Sequence, residues 1–554
     1  MDATIASGAA GEAAGEAAGD RARRLGVLVG VGLTLGLLAL HWTYMTHAGA
    51  LWRDEVNSVN VARLPTLADV LAHAHLDSFP LAWVTLLHAW IAAGLGDGDP
   101  GLRRLGLAIG VATLAVVWWT GRRLGVAAPL VTLLLLGMSP SAIVYGDQVR
   151  GYGLGVLTIV WSFGATWAFV ARPSAGRLLV AQLAALLAVQ AYYANAFLLL
   201  AISAGGAAVA VARRGWGRLL ALGAVGAVAA LSLLLDLEAM RYAARVAAIE
   251  LENPGLAWRV EVFRHALAPG VPVLSAAWAA AAVLAATGCV LAWGAARGAP
   301  DAAADARPLF AAVTALAALA GFAAYLQIVA RVPTQFWYYL SLMAVLALAC
   351  EVGVDALARR VPRGAWMCLA AVAALALAAA PGVARNVPLR MTNVDLLAAT
   401  VARAARPDDL VVVLPWYCGI TFARYYRGPA PWMTLPDFAD HRFHVHELVK
   451  ERMALGGDGI AAELARVERV LRAGARVWVV GTLLPPPAAG PPPLAAAPAG
   501  PEGWHVGPYL EAWSMHLGAL LEDHAARVGR IDVAAPTPLN RWEHLPLFAA
   551  EGWE

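Results

Sequence analysis

The sequence predicts a polytopic α-helical membrane protein with a C-terminal α/β domain, and three observations predict it. Hydrophobic residues make up 60% of the 554 and charged residues 14%, where a soluble domain carries about a quarter charged residues. Apolar runs of spanning length recur from residue 25 to residue 381. Past about residue 385 the pattern changes to short helices alternating with buried strands.

Residues 1–20 repeat Ala, Gly, Glu and Asp loosely and hold too little apolar surface for a core. With Arg21, Arg23 and Arg24 they form an expected disordered cytoplasmic tail over 1–24. The apolar run 25–44 is too long for a signal-peptide core and lacks a convincing cleavage site, so a retained anchor is expected. Further apolar segments lie near 102–120, 126–144, 150–171, 177–193, 195–212, 218–236, 272–295, 308–330, 336–357 and 364–381. With the anchor they make about eleven spans.

A further apolar stretch, 79–96, is decided by parity. If it does not cross, the loops bearing Arg122/Arg123, Arg172/Arg177, Arg213/Arg214/Arg218, Arg297/Arg307 and Arg359/Arg360/Arg363 all face the cytoplasm. If it crosses, all of them flip outward, against the positive-inside rule. Residues 79–96 are therefore expected to lie in the outer interface or to re-enter. The loops 47–101, 139–152, 190–195, 237–271 and 331–337 then face outward together with the C-terminal domain. In the first of these loops, Thr66 can cap a short helix with Leu67, Val70, Leu71 and Ala74 at helical spacing. That helix either lies in the interface or packs on the C-terminal domain.

The expected organisation is a cytoplasmic tail (1–24), a transmembrane domain (25–384) and an extracytoplasmic α/β domain (385–554). In the last, 395–405, 419–426 and 446–471 read as helices. Leu410-Val-Val-Val-Leu414 and Arg476-Val-Trp-Val-Val480 read as buried strands. The alternation implies three layers around a mainly parallel sheet. The stretch 484–501 is rich in Pro, Ala and Gly and reads as a loop.

Composition also excludes functions. A net charge of +3 argues for no nucleic-acid partner. No G-x-G-x-x-G or P-loop motif accompanies the strands, so nucleotide binding has no support. Cys289, Cys350, Cys368 and Cys418 show no metal-ligand spacing and imply no disulfide framework.

Three outward motifs carry chemistry-bearing residues. Trp52-Arg53-Asp54-Glu55 follows the first span, and carboxylates there are costly to desolvate. A partly dry carboxylate can gain basicity and serve as a general base; the alternative is a solvated helix end or an Arg–Asp cap. His75-Leu-Asp77-Ser-Phe-Pro80-Leu81 places Asp77 either as a helix cap or facing the same cavity. In Ser139-Pro140-Ser-Ala-Ile-Val-Tyr145-Gly-Asp147-Gln-Val-Arg150-Gly-Tyr152, Arg150 can hold a phosphate with its planar fork or snorkel to lipid headgroups.

The order of these motifs, with Arg103/Arg104 opening the second span, resembles the bacterial membrane glycosyltransferases of the GT-C fold related to protein O-mannosyltransferases and aminoarabinose transferases. The resemblance covers roughly 25–345. It implies a sugar donor carried on polyprenyl phosphate and a glycan, lipid or protein acceptor at the outer face of an inner membrane. It implies Asp54 as the base, and Glu55 as an orienting group or a ligand to a divalent metal that only some relatives use. Arg53, Asp77, Tyr145 and Asp147 fall in the motifs that line the expected substrate site. Arg150 with Arg103 or Arg104 would neutralise the departing phosphate. Tyr152 and the segment from Arg331 through Phe336-Trp337-Tyr338-Tyr339 would line the lipid-phosphate and sugar pocket, unless that segment is an interfacial aromatic belt.

The sequence departs from the pattern at Phe79-Pro80, where relatives often have Pro-Pro, and at Gly146-Asp147-Gln148. Asp147 is an extra carboxylate that can touch a metal or acceptor or pair with Arg150. His441, His444 and His446 form a candidate metal cluster, although His444 and His446 at i and i+2 do not share a helix face. Trp416-Tyr417 and Tyr425-Tyr426 are candidate acceptor contacts or core. The rival readings are a transporter or flippase for the lipid-linked sugar, and a non-catalytic polysaccharide assembly protein.

Overall fold

The computed structural model describes residues 2–246, 254–298, 305–330, 333–498 and 505–554. Arg331 lies outside them, as do parts of the loops 237–271, 297–307 and 484–501.

Helix α1 (Asp2–His47) carries the first span over Gly19–His47. The tail expected over 1–24 lies mostly before Gly19, where that span begins. Three short helices follow: α2 (Arg53–Ala62), α3 (Leu67–His73) and α4 (Leu81–Ala92). Helix α5 (Gly98–Arg123) is the next span.

The segment expected at 126–144 is not one helix. It consists of α6 (Leu130–Thr132), a π-helical turn (Leu133–Gly137) and α7 (Pro140–Gly146). Ser139 caps α7 through its hydroxyl and Pro140 occupies the first turn, so Ser-Pro here is a helix start. Then come α8 (Tyr152–Ala171), α9 (Ala175–Ala191), α10 (Asn195–Ala212) and α11 (Trp216–Ser232), which continues through a 3₁₀ turn into α12 (Leu237–Val246). The transmembrane part closes with α13 (Leu256–Leu267), α14 (Pro272–Gly298), α15 (Arg307–Ala324), α16 (Leu340–Ala358) and α17 (Gly364–Asn386).

Nine helices among the described residues are long and apolar enough to cross a bilayer. The 17-residue α9 and the broken segment through α6 and α7 occupy the other two stretches where spans are expected. Leu220 on α11 and Leu377 on α17 are 76% and 77% exposed, as side chains facing lipid must be. Helix α4 has 12 residues, about 18 Å of helix against a hydrocarbon layer of about 30 Å. It is too short to cross. Its first turn is pinned by Asp236, whose carboxylate accepts from the Leu81 N–H at 3.1 Å and from Gln190 at 2.8 Å. Thr66 caps α3 as expected, with Asp69 completing the capping box. Half of the α3 stripe, Val70 and Ala74, is buried, while Leu67 and Leu71 are exposed.

The C-terminal domain comprises α18 (Val394–Ala404), β1 (Leu410–Leu414), α19 (Gly419–Tyr425), β2 (Trp432–Thr434), α20 (His446–Ala454), α21 (Ala461–Arg472), β3 (Val477–Gly481), α22 (Gly507–His524), β4 (Arg527–Ile531) and β5 (Leu547–Glu551). The strand order is β2-β1-β3-β5-β4. Strand β1 runs parallel to β2 and β3, whereas β5 is antiparallel to β3 and β4. The sheet is thus half parallel, not mainly so. Sequence reading misses β4 because Arg-Val-Gly-Arg-Ile is an exposed edge with no apolar run. Alternation along β1 makes the three layers: Leu410, Val412 and Leu414 pack with Leu471 and Leu517, while Val411 and Val413 pack with Leu397, Val401 and Phe422. Residues 538–543 return to the membrane part, where the Arg390 N–H donates to Pro538 O at 2.8 Å and the Met391 N–H to Ala48 O at 2.9 Å.

Candidate active site

The Trp-Arg-Asp-Glu motif begins α2. Asp54 and Glu55 fall in its first turn, where the helix dipole favours negative charge, and Glu55 accepts from the Trp52 N–H at 3.2 Å. The two carboxylates then diverge. Glu55 is fully buried. Arg103 of α5 grips both its oxygens, one through Nη2 at 2.8 Å and the other through Nη1, and Val149 N–H donates to Oε1 at 2.9 Å. With four donors on two oxygens, Glu55 has no position left for a metal or a substrate proton. The expected metal role does not fit this residue. Among the described residues no three His, Cys, Asp or Glu side chains are grouped to hold a metal ion, so the histidine cluster does not form a metal site either.

Asp77 is also enclosed. Its Oδ1 accepts from Arg150 Nη1 at 3.0 Å and from Ser78 N–H at 2.7 Å, and its Oδ2 accepts from Ser58 Oγ at 2.6 Å. Arg150 Nη1 also reaches Ser58 Oγ at 2.9 Å and Asp54 O at 3.0 Å, one turn apart on α2. The Arg150 guanidinium lies 4.7 Å from the Phe79 ring centre, so a cation–π contact fixes its plane. Its Nε is buried with no hydrogen-bond partner among the described residues.

Asp54 is the open carboxylate of the three. Its side chain is 30% exposed and its contact is Arg53 Nε at 3.4 Å. Burial would raise its pKa, but Arg150, Arg53 and His444 outweigh that and hold it below the usual carboxylate range. The expectation of gained basicity is therefore reversed: the same cations that gather here keep Asp54 ionised.

Aromatic rings form one wall. Tyr152 meets Phe79 edge-on at 4.8 Å and lies 6.2 Å from Tyr338, and Tyr192 Oη reaches Tyr338 O at 3.4 Å. Tyr145 is 4% exposed, stacks on Trp337 at 4.8 Å and accepts from Asn540 Nδ2 at 3.0 Å. It ties the C-terminal domain to the membrane part behind the site instead of lining an open pocket.

Two expected members lie elsewhere. Arg104 is exposed, because it sits about 100° around α5 from Arg103. Asp147 pairs not with Arg150 but with His41 of α1, at 2.6 Å. Gly106 and Gly110 of α5 permit this approach, since a Cβ at Gly106 would stand 1.8 Å from Asp147 O and one at Gly110 2.5 Å from Asp147 Oδ1.

The C-terminal domain roofs α2. Asn60 Nδ2 donates to Arg442 O at 2.8 Å and His444 N–H to Asn57 Oδ1 at 3.1 Å, so this segment runs along the helix face that Asp54 shares. His444 and His446 both lie edge-on to Trp416, at 5.8 and 5.7 Å. Burial pushes both imidazoles down to about 4, and the nearby Asp54 offsets only part of this. Tyr417 packs its ring 4.4 Å from the Arg53 guanidinium, and Glu543 accepts from the Arg53 N–H at 3.2 Å and from Thr421 Oγ1 at 2.8 Å. Tyr425 donates to Asp99 at 2.6 Å and accepts from Leu51 N–H at 2.7 Å. Ser58, Asn57, Phe79 and Glu543 are absent from the sequence-derived site, whereas Tyr417, a candidate acceptor contact, lies against Arg53. A polar residue inside a predicted span was the signal available for His41; Ser58 and Glu543 carry none.

No protein-family model matches the chain, and no curated protein matches it. Solved structures do, two of ArnT among them. ArnT from Cupriavidus metallidurans in the apo state shares 13% identity at a TM-score of 0.50, covering 94% of this chain and 97% of that one. The same protein bound to undecaprenyl phosphate shares 14% identity at a TM-score of 0.47, with the same coverage. The apo comparison shows that this chain has the fold of ArnT, of the GT-C type, over nearly its whole length.

Proposed function

We propose that this protein is a glycosyltransferase that moves a sugar from polyprenyl phosphate to an acceptor on the outer face of the membrane. The observation that carries this reading is the pairing of one open carboxylate, Asp54, with an arginine, Arg150, whose backbone and ring contacts fix it beside α2. The GT-C fold and the order of the motifs support it.

In this reading the acceptor oxygen attacks the anomeric carbon while the bond from that carbon to the phosphate oxygen breaks. The bonding electrons leave with the phosphate, whose charge Arg150 meets. The acceptor proton passes to Asp54. A phosphate seated on Arg150 would take up the cation that otherwise holds Asp54 down, so donor binding itself would make Asp54 more basic. Glu55 acts as a positioning residue: by joining Arg103 and the Val149 N–H to α2, it sets Asp54 against Arg150. His444, His446 and Tyr417 roof the site and limit water.

The test uses the purified full chain in lipid nanodiscs, a panel of labelled undecaprenyl-phosphate sugars and envelope lipid extract as acceptor. Transfer or release of label is expected for at least one sugar, and Asp54→Asn should abolish it. Equal turnover by Asp54→Asn would remove Asp54 as the base.

A further inference from the structure

A cavity of ≈ 430 Å³ opens at the seam between the two domains, apart from the Asp54 cluster. Asn60 and Arg63 at the C-terminal end of α2, Asp99 of α5, and Arg424, Arg427 and Arg442 of the C-terminal domain line it. Four guanidinium groups thus face one lining carboxylate.

That carboxylate is already spent. Asp99 accepts from Arg424 Nη2 at 2.6 Å and from the Tyr425 hydroxyl at 2.6 Å. Arg442 is held by Asp440 at 2.8 Å. Arg63 donates to Gly96 O at 3.4 Å, and Arg427 to the carbonyls of Ala423, Tyr426 and Arg424. Neither Arg63 nor Arg427 forms an ion pair among the described residues, and Arg424 Nε is buried with no partner among them. Burial and the like charge of Arg424 lower the pKa of Arg63, and Asp99 and Asp97 offset this only in part. Surface arginines are ordinarily solvated or paired. Here they converge from both domains on one concavity with cationic charge in excess, which an entering anion would relieve.

We propose that this cavity is an anion site for a phosphate-bearing group. Planar guanidinium forks match a tetrahedral oxyanion. The volume falls in the range of small-ligand pockets, about 300–1,000 Å³, and leaves room for more than the phosphate itself. The group is either the headgroup of an anionic lipid in the adjoining leaflet or a soluble phosphate compound. The proposal does not depend on glycosyl transfer.

The full chain is tested in two arms. In one, inorganic phosphate and pyrophosphate are titrated into protein in phosphatidylcholine nanodiscs by calorimetry. In the other, nanodiscs with and without phosphatidylglycerol are compared by native mass spectrometry for retained lipid. Binding in the first arm identifies a soluble phosphate group, and retention of phosphatidylglycerol in the second identifies a lipid headgroup. In either case the double variant Arg63→Gln/Arg427→Gln should weaken binding about tenfold or more, with an unchanged unfolding temperature because it orphans no buried carboxylate. Arg427→Glu alone, at an exposed position, gives the same readout should the double variant fold poorly. No binding in either arm, or binding unaltered by both variants, overturns the proposal.

Discussion

Asp54 and Glu55 are adjacent in the chain and point about 100° apart around α2, and this separates their chemistry. Glu55 is enclosed by Arg103 and two backbone N–H groups, whereas Asp54 keeps a 30% exposed side chain.

Asp54→Asn removes the proposed proton acceptor without orphaning a buried cation, since Arg53 also packs on Tyr417 and Arg150 keeps Asp77. A fall in turnover of about a hundredfold or more is expected, with the unfolding temperature within experimental scatter of wild type. Single-turnover assays together with thermal unfolding would check both halves.

Glu55→Ala should act on stability. It strands the Arg103 guanidinium in a buried site, at a cost of about 3–5 kcal/mol. Arg104→Ala on the exposed face should cost almost nothing. Thermal unfolding of the two variants side by side decides this, and equal losses would contradict the assignment of Glu55 to positioning.

Arg150→Lys keeps the charge but loses the fork and the flat contact with Phe79. Under the proposed donor reading, affinity for undecaprenyl phosphate should fall about tenfold, measured by lipid retention in native mass spectrometry.

Glu543 gives the domain seam a pH dependence. Burial raises its carboxyl to about 7 from an ordinary value of 4.5, and Arg53 offsets part of that. The folded chain therefore retains a proton that the unfolded chain loses between these values. The contribution to stability is complete below pH 4.5 and is lost as pH rises through about 7, about 3 kcal/mol in all. Glu543→Gln should flatten this part of the stability profile, read from unfolding temperature against pH.

His444 and His446 act in the opposite sense. Each is held near 4 from an ordinary 6.5, so each is neutral in the folded chain. Their contribution is present above pH 6.5 and is lost as pH falls toward 4. Unfolding temperatures of wild type and the His444→Gln/His446→Gln double variant should differ most near neutrality and converge as acid is added.

Much of the membrane part was legible because lipid imposes a one-dimensional rule. A spanning helix needs an apolar run of fixed length, so the long apolar helices were legible and the 12-residue α4 stands apart from them by its length. The broken segment through α6 and α7 was not legible as broken, since Leu133–Gly137 reads apolar whatever its hydrogen-bonding pattern. The half-parallel sheet was hidden for a related reason: β4 is an exposed edge whose pairing comes from β5 and not from its own composition.

By itself the sequence determined the fold class and the order and residue types of the motifs. Tertiary structure alone decided what each does. Whether a carboxylate is open or enclosed depends on which donors the packed helices bring to it. Arg103 comes from 48 residues away and takes Glu55, Arg150 from 73 residues away takes Asp77, and His41 from 106 residues away takes Asp147. Asp54 is left with Arg53 beside it and His444 of the C-terminal domain nearby. No local pattern encodes those distances, because they are set by helix crossings and by the docking of a second domain.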